Sequence, residues 1–261
     1  MISTGAMKPS NLSKTEKIWR VAAVLFWLLA WQGGAMLLND SLLLVPPLRV
    51  LRRLFALLGE RGFYAAVLFS LARNAGGFAL GLTAGALLAA LAARFRPAEY
   101  LLRPLMVTVR SIPVASFIIL ALVWLSSRRV SVFVVFLMVL PIVYSNLLEG
   151  MKGRSAQLEE MARMYRIPWA RRLVFLDLPQ LRPALLSALS LGLGLSWKSG
   201  VAAEIIGVPR GSMGYALYQA KLYVDTPSLY AWTLAVVLMS VLFEQAALWL
   251  VKRAFAGLER L

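Results

Sequence analysis

Residues 130–148 read VSVFVVFLMVLPIVYSNLL, nineteen consecutive positions without a charged side chain. As a helix rising 1.5 Å per residue, such a run is about 28 Å long, close to the ~30 Å hydrocarbon core of a bilayer. Five further runs of comparable length flank it, at Ile18–Leu38, Tyr64–Ala93, Leu101–Leu125, Ala184–Ile206 and Tyr230–Val251. The whole chain of 261 residues is 60% hydrophobic and 15% charged, where a soluble domain has roughly 45–50% and about 25%. The excess apolar surface is too great for one globular core. The pattern predicts an all-α integral membrane protein with six spans.

The chain has no cysteine and no histidine. That removes thiolate nucleophiles, disulfides, imidazole bases and the usual zinc and haem ligands, so no metal site is expected. The formal net charge is +16, but the cations are spread between the apolar runs. Anionic lipid and the positive-inside rule explain them better than nucleic acid does. The first run follows Lys8, Lys14, Lys17 and Arg20 in the manner of a signal peptide, yet it is too long for a signal core and no small-x-small site follows, so it reads as an uncleaved anchor. Sidedness follows from counting Lys and Arg. With the N-terminus inside, segments 1–20, 94–103, 149–183 and 252–261 carry 17, against 8 in segments 39–63, 126–129 and 207–229. Both termini are therefore expected in the cytoplasm, with cytoplasmic tails at 1–17 and 252–261 around a span domain at 18–251.

Three connections carry patterns of their own. In 39–63, Pro46-Pro47 precedes leucines at helical spacing between Arg49, Arg52 and Arg53, which predicts a short surface helix on the outer side. In 207–229, Gly207, Pro209, Gly211, Gly214 and Pro227 surround Tyr215, Tyr218 and Tyr223, which predicts an outer re-entrant or capping segment. The inner segment 149–183 is polar and about 35 residues long. Ser155 followed by acids has the character of a helix N-cap, and Leu158, Met161, Ala162 and Tyr165 fall at i, i+3, i+4 and i+7 on one face. Pro168 is expected to stop this helix. A helix this short needs a surface to pack on: either the protein's own inner helix ends or a groove on a soluble partner.

The residues of this loop resemble the signature loop of the permease subunits of bacterial ABC importers. The family pattern runs Glu-Ala-Ala, three residues, Gly, nine residues, then Ile-x-Leu-Pro. Here Glu160, Met161 and Ala162 stand at its start, Arg166 at the glycine, and Leu176, Leu178 and Pro179 at its end, so the spacing is kept in full. Met161 replaces an alanine and Arg166 replaces the glycine. That glycine lets the family's chain turn between two short helices; here Ile167-Pro168 is expected to make the turn. Arg110-Ser111-Ile112-Pro113, Trp197-Lys198 with Ala203-Glu204, Gly211-x-x-Gly214-Tyr215 and Asp225-Thr226 are similar to the nitrate, sulfonate and taurine branch, and the likeness spans roughly residues 60–255. The resemblance implies a non-catalytic permease working as a homodimer in the bacterial inner membrane. It also implies two cytoplasmic ATPases that bind ATP and Mg, and an extracytoplasmic solute-binding protein. The loop would then be a coupling helix between spans 4 and 5, engaging the ATPase through Leu158, Glu159, Glu160, Met161, Ala162, Tyr165, Arg166 and Pro179. Glu160 would hold it through the partner or nearby arginines, and Leu158, Met161 and Tyr165 would fill the partner's groove.

Charges at membrane depth each need a reason, since an ionisable group there costs at least ~2.5–3.5 kcal/mol. Arg73 reads as snorkelling from a span end. Arg110 and Ser111 lie beside Pro113, which should open the helix. Lys198 and Glu204 point apart on one helix, and Glu244 suits either a structural or a functional role. Arg110, Ser111, Pro113, Trp197, Lys198 and Glu204 are the candidate lining of a solute path, whose cations favour an anion. No G-x-x-x-x-G-K-[ST] loop occurs, so any ATPase must be a separate chain. The rival reading is a six-span secondary transporter driven by an ion gradient, which gives the patterned inner loop no task. An intramembrane enzyme lacks its motifs.

Overall fold

The computed structural model describes residues 14–38 and 44–258, and the described residues are helical with short turns. The expected N-terminal tail falls mostly outside the described residues, as does the start of the 39–63 connection. Helices α1 (Lys14–Leu38), α3 (Arg61–Arg94), α6 (Ser127–Lys152) and α11 (Thr226–Leu258) each hold a stretch long and apolar enough to cross a membrane. A bent pair, α4 (Arg96–Ser111) and α5 (Val114–Trp124), whose axes differ by 104°, is apolar enough when taken together to be one broken span or a re-entrant loop. The third run is thus two helices rather than one. Ile112 is extended, as the residue before a proline prefers, and Pro113 begins the next helix from outside it.

The fifth run lies in α9 (Leu178–Gly207). It begins well before Ala184, because Pro179 sits in the first turn, where a missing N–H costs nothing; hydropathy marks only where the apolar part starts. A short helix α8 (Trp169–Arg172) and a π-helical stretch at Leu173–Asp177 lead directly into it. Lys198 and a run of serines and glycines make α9 less apolar than the four candidate membrane helices. Its position explains the serines and glycines: α9 packs on α3, α5, α6, α10 (Met213–Leu222) and α11, while Lys198 stays exposed. By contrast α1 and α11 expose most of their apolar surface.

The centre of the bundle is α6 between α3 and α9. Gly77, Gly81 and Gly85 on α3 recur every fourth residue, as do Val135, Val139 and Val143 on α6. A Cβ built on each glycine would stand 2.8 Å from the Cβ of the facing valine. The two backbones therefore approach as closely as helices can, in the manner of small-xxx-small membrane interfaces.

The connections fold as two caps. Helix α2 (Pro47–Leu58) buries Val50, Leu54 and Leu57 and turns its arginines outward, while Arg53 donates to Ser228 Oγ at 2.7 Å. Helix α10 (Met213–Leu222) folds back on α9 and α11, burying Met213, Gly214, Leu217 and Ala220. At the opposite end Glu99 and Lys152 form an ion pair. These contacts place segments 44–63 and 207–229 at one end of the bundle, and 94–103 and 149–183 at the other.

Candidate functional site

The inner loop is compact. Helix α7 (Ala156–Met164) starts at Ser155, whose Oγ accepts from the Leu158 amide at 3.5 Å. It ends in a Schellman motif: the Ile167 amide donates to the Ala162 carbonyl and the Arg166 amide to the Arg163 carbonyl. The motif requires a left-handed residue, and Arg166 supplies it with φ +49°. The turn thus falls on Arg166 itself, at the position where the family pattern has glycine, rather than on Ile167-Pro168. Helix α7 stops there, ahead of Pro168.

A chain of ion pairs ties α7 to the root of α9. Arg172 donates to Glu159 at 2.7 Å and lies 3.5 Å from Asp177; Arg154 donates to Asp177 at 2.8 Å. The Ser155 amide donates to Gln180 Oε1 at 2.9 Å. The Glu159–Arg172, Arg154–Asp177 and Ser155–Gln180 bonds join positions 13, 23 and 25 residues apart, so they fix the position of α7 rather than its internal structure. Ala162 is the buried residue of α7, facing the bundle. Leu158 and Met161 are each 37% exposed, and Tyr165 is largely exposed. Of the two acids, Glu159 takes the arginines, whereas Glu160 is exposed and has no ion-pair partner among the described residues. Pro179 lies in the first turn of α9, next to Gln180.

The path residues separate into three places. Arg110 and Ser111 border a polar cavity of about 520 Å³ between α4 and α6, with Glu99, Arg103, Tyr144 and Glu149; Pro113 stands at the bend above it. Trp197 and Lys198 border a second, mostly apolar groove of about 680 Å³ among α9, α10 and α11. Glu204 joins neither. It is fully buried, accepting from Ser70 Oγ at 2.7 Å and from the Gly214 amide at 3.1 Å, while Ser70 Oγ also accepts from the Met213 amide at 2.9 Å. A carboxylate and a hydroxyl thereby satisfy the first free amides of α10, where the helix dipole favours negative charge. Arg73 lies over the Phe69 ring at 3.7 Å, in mid-helix rather than at a span end. Glu244 accepts from Ser190 Oγ at 2.7 Å, joining α11 to α9.

Residues 81–255, two thirds of the chain, match the model of the family described as "Binding-protein-dependent transport system inner membrane component". The chain belongs to this family. It is similar to a Bacillus subtilis permease protein named for aliphatic sulfonates transport, with 29% identity over 77% of this chain and 73% of that one. It is similar to the taurine transport system permease protein of Escherichia coli, 27% identical over 82% of this chain and 80% of the other. The bicarbonate transport system permease protein of Synechococcus elongatus is 27% identical, covering 82% of each. The relatives are transport permease subunits, which are non-catalytic, and the chain is a multi-pass inner-membrane permease of the ABC type.

Several residues that build the permease's inner loop were not singled out from sequence: Arg154, Arg172, Asp177 and Gln180. For Arg154, Arg172 and Asp177 the only sequence signal is opposite charge on either side of the stripe; Gln180 has none. The Arg166 turn gives a first expectation. A left-handed non-glycine residue costs on the order of 1–2 kcal/mol, and Arg166 makes no ion pair among the described residues. Arg166→Gly should therefore raise stability by about 1 kcal/mol, read as a higher melting temperature in detergent. A lower one would mean that the guanidinium holds a stabilising contact.

Glu159 gives a second. The hydrogen bond from Arg172, supported by the nearby charges of Arg172, Arg154 and Arg163, keeps its carboxyl below the usual carboxylate range despite some desolvation. A depressed pKa contributes stability that is present above the unfolded value and is lost as pH falls through the folded one. The protection of amides 155–172, taken relative to their intrinsic exchange rate at each pH, should hold from neutral pH down past about 4, then fall. Glu159→Gln should lower that protection throughout and leave it nearly independent of pH.

Proposed function

We propose that the chain is the membrane-spanning subunit of an ATP-driven importer, with six spans and both termini in the cytoplasm. Helix α7 is its coupling helix, docking into a groove on a separate ATPase that binds ATP and Mg. A second copy of the chain completes the pathway, and an extracytoplasmic binding protein delivers the solute. The solute is a small anion of the sulfonate, taurine or nitrate type. The observation that carries this reading is the state of α7: braced by Glu159, Arg172, Asp177 and Arg154, it keeps Tyr165 largely exposed and Leu158 and Met161 partly so. An apolar stripe held rigidly but left open suits a helix that transmits motion to the spans. Family membership supports the ATPase and binding-protein partners, and Arg103, Arg110 and Lys198 beside cavities support an anion.

The test is purification of the tagged permease in mild detergent, then uptake by liposomes holding the recovered complex. An ATPase should co-purify at about one copy per permease, and uptake should need both ATP on its side and a binding protein on the other. A lone chain whose uptake follows an ion gradient instead would establish the secondary transporter.

A further inference from the structure

Helix α2 divides lengthwise into three arcs. At about 100° per residue, Val50, Leu54 and Leu57 share one side and are buried in the bundle. Leu48, Leu51, Phe55 and Leu58 share the next and are exposed, Phe55 by 69%. Arg49, Arg52 and Arg53 share the third. Arg53 is already committed, donating to Ser228 Oγ and to Glu60. Arg49 and Arg52 are exposed neighbours on one face and form no ion pair among the described residues.

A helix that only capped the bundle would need one apolar side. The second apolar arc of α2 borders the arginine arc, and α2 packs beside α1 and α11, which expose most of their apolar surface. That pattern belongs to a helix lying in the membrane interface, with hydrocarbon on one side and headgroups on the other. The arginines need a reason of their own. On the sidedness proposed above, this end of the bundle faces outward, where the positive-inside rule keeps basic residues few. Yet Arg49, Arg52, Arg53 and Arg61 lie close together in sequence, with Glu60 the one acid among them.

We infer that α2 holds an anionic phospholipid, with its phosphodiester between the Arg49 and Arg52 guanidinium groups and an acyl chain along Leu48, Leu51 and Phe55. Guanidinium presents paired N–H donors that match phosphate oxygens. A free phosphate leaves the second apolar arc bare. The acidic surface of a soluble protein would meet the arginines but not an arc turned to hydrocarbon. The occupant is therefore a lipid. The site does not depend on what the permease carries; only its assignment to the outer leaflet rests on the proposed sidedness.

The test uses the full-length permease, free of native cysteine, with bimane on Leu51→Cys or Phe55→Cys, in nanodiscs of phosphatidylcholine. Quenching by a small fraction of doxyl-labelled phosphatidylglycerol is compared with quenching by doxyl-labelled phosphatidylcholine. Phosphatidylglycerol should be enriched at α2 by about tenfold. Arg49→Gln with Arg52→Gln should bring the enrichment to about one while leaving melting in detergent unchanged, and about 1 M salt should reduce it. At Leu242→Cys, exposed on α11 about 21 Å along the helix from Ser228, it should be near one already.

No enrichment at α2 would overturn the inference. Equal enrichment at Leu242→Cys would overturn it too, as attraction to the whole positive chain. Absence of quenching by either lipid would place the arc in water, and relief of quenching by glycerophosphoglycerol would give the arginines to a free anion; both contradict a lipid site. Unchanged enrichment in the double variant also overturns it, and loss of binding-protein stimulation in that variant would then assign the face to that protein. Nanodiscs carry the same lipid in both leaflets, so failure of the proposed sidedness or of ATP-driven uptake leaves this result standing.

Discussion

Gly81→Leu is expected to open the centre of the bundle and leave little folded permease. The Cβ of any residue at Gly81 would lie 2.8 Å from Val139 Cβ and 3.0 Å from the Phe136 carbonyl oxygen. Neither neighbour can yield cheaply, since one is backbone and the other a branched side chain fixed to the facing helix. Overpacking usually costs about 1–3 kcal/mol; here the separation also strips contacts at Gly77 and Gly85, so a loss of about 3 kcal/mol or more is expected. Gly76→Leu is the control, because nothing lies within 4 Å of a Cβ built there. Melting in detergent should separate the two clearly. Equal tolerance would mean that α3 and α6 do not meet along this seam.

The second large effect concerns the stripe of α7. Leu158→Asp with Met161→Asp places two carboxylates where the proposed ATPase groove closes. Each side chain keeps 37% of its surface exposed in the permease, so the permease's own stability should fall by only about 1–2 kcal/mol, read by melting in detergent. A central interface contact is worth about 2 kcal/mol or more, and burying an unpaired charge adds to that. Affinity for the ATPase should fall at least about a hundredfold, and uptake with it. Retention of ATPase and of uptake would leave the stripe without the role assigned to it.

Much of this fold can be read from the amino acids, for identifiable reasons. The long apolar runs announce their helices because lipid demands continuous hydrophobicity. Pro113 announces the bend because a proline constrains both itself and the residue before it. Ser155 and the stripe of α7 follow local rules of capping and periodicity. The start of α9 is hidden because helix continues through polar residues that hydropathy does not register. Gly77, Gly81 and Gly85 carry a visible four-residue period, but its meaning depends on the valines of α6 lying opposite. The bond between Ser70 and Glu204 spans 134 positions, and that between Arg154 and Asp177 spans 23. No local pattern points from one partner to the other. The separation of Arg110 and Lys198 into different cavities is likewise a property of the assembled bundle.

The central claim is that α7 touches the ATPase, and the absence of native cysteine in this chain allows a direct measurement. Met161→Cys, labelled with a maleimide-linked benzophenone in the purified complex and irradiated, should give a covalent adduct with the ATPase. Leu158→Cys should do the same, and Leu242→Cys, exposed on α11, should not. Adducts at the α7 positions, with yields that change on adding nucleotide, are the predicted result. An ATPase that co-purifies but never crosslinks to Leu158→Cys or Met161→Cys would contradict the account, because its docking site would lie elsewhere.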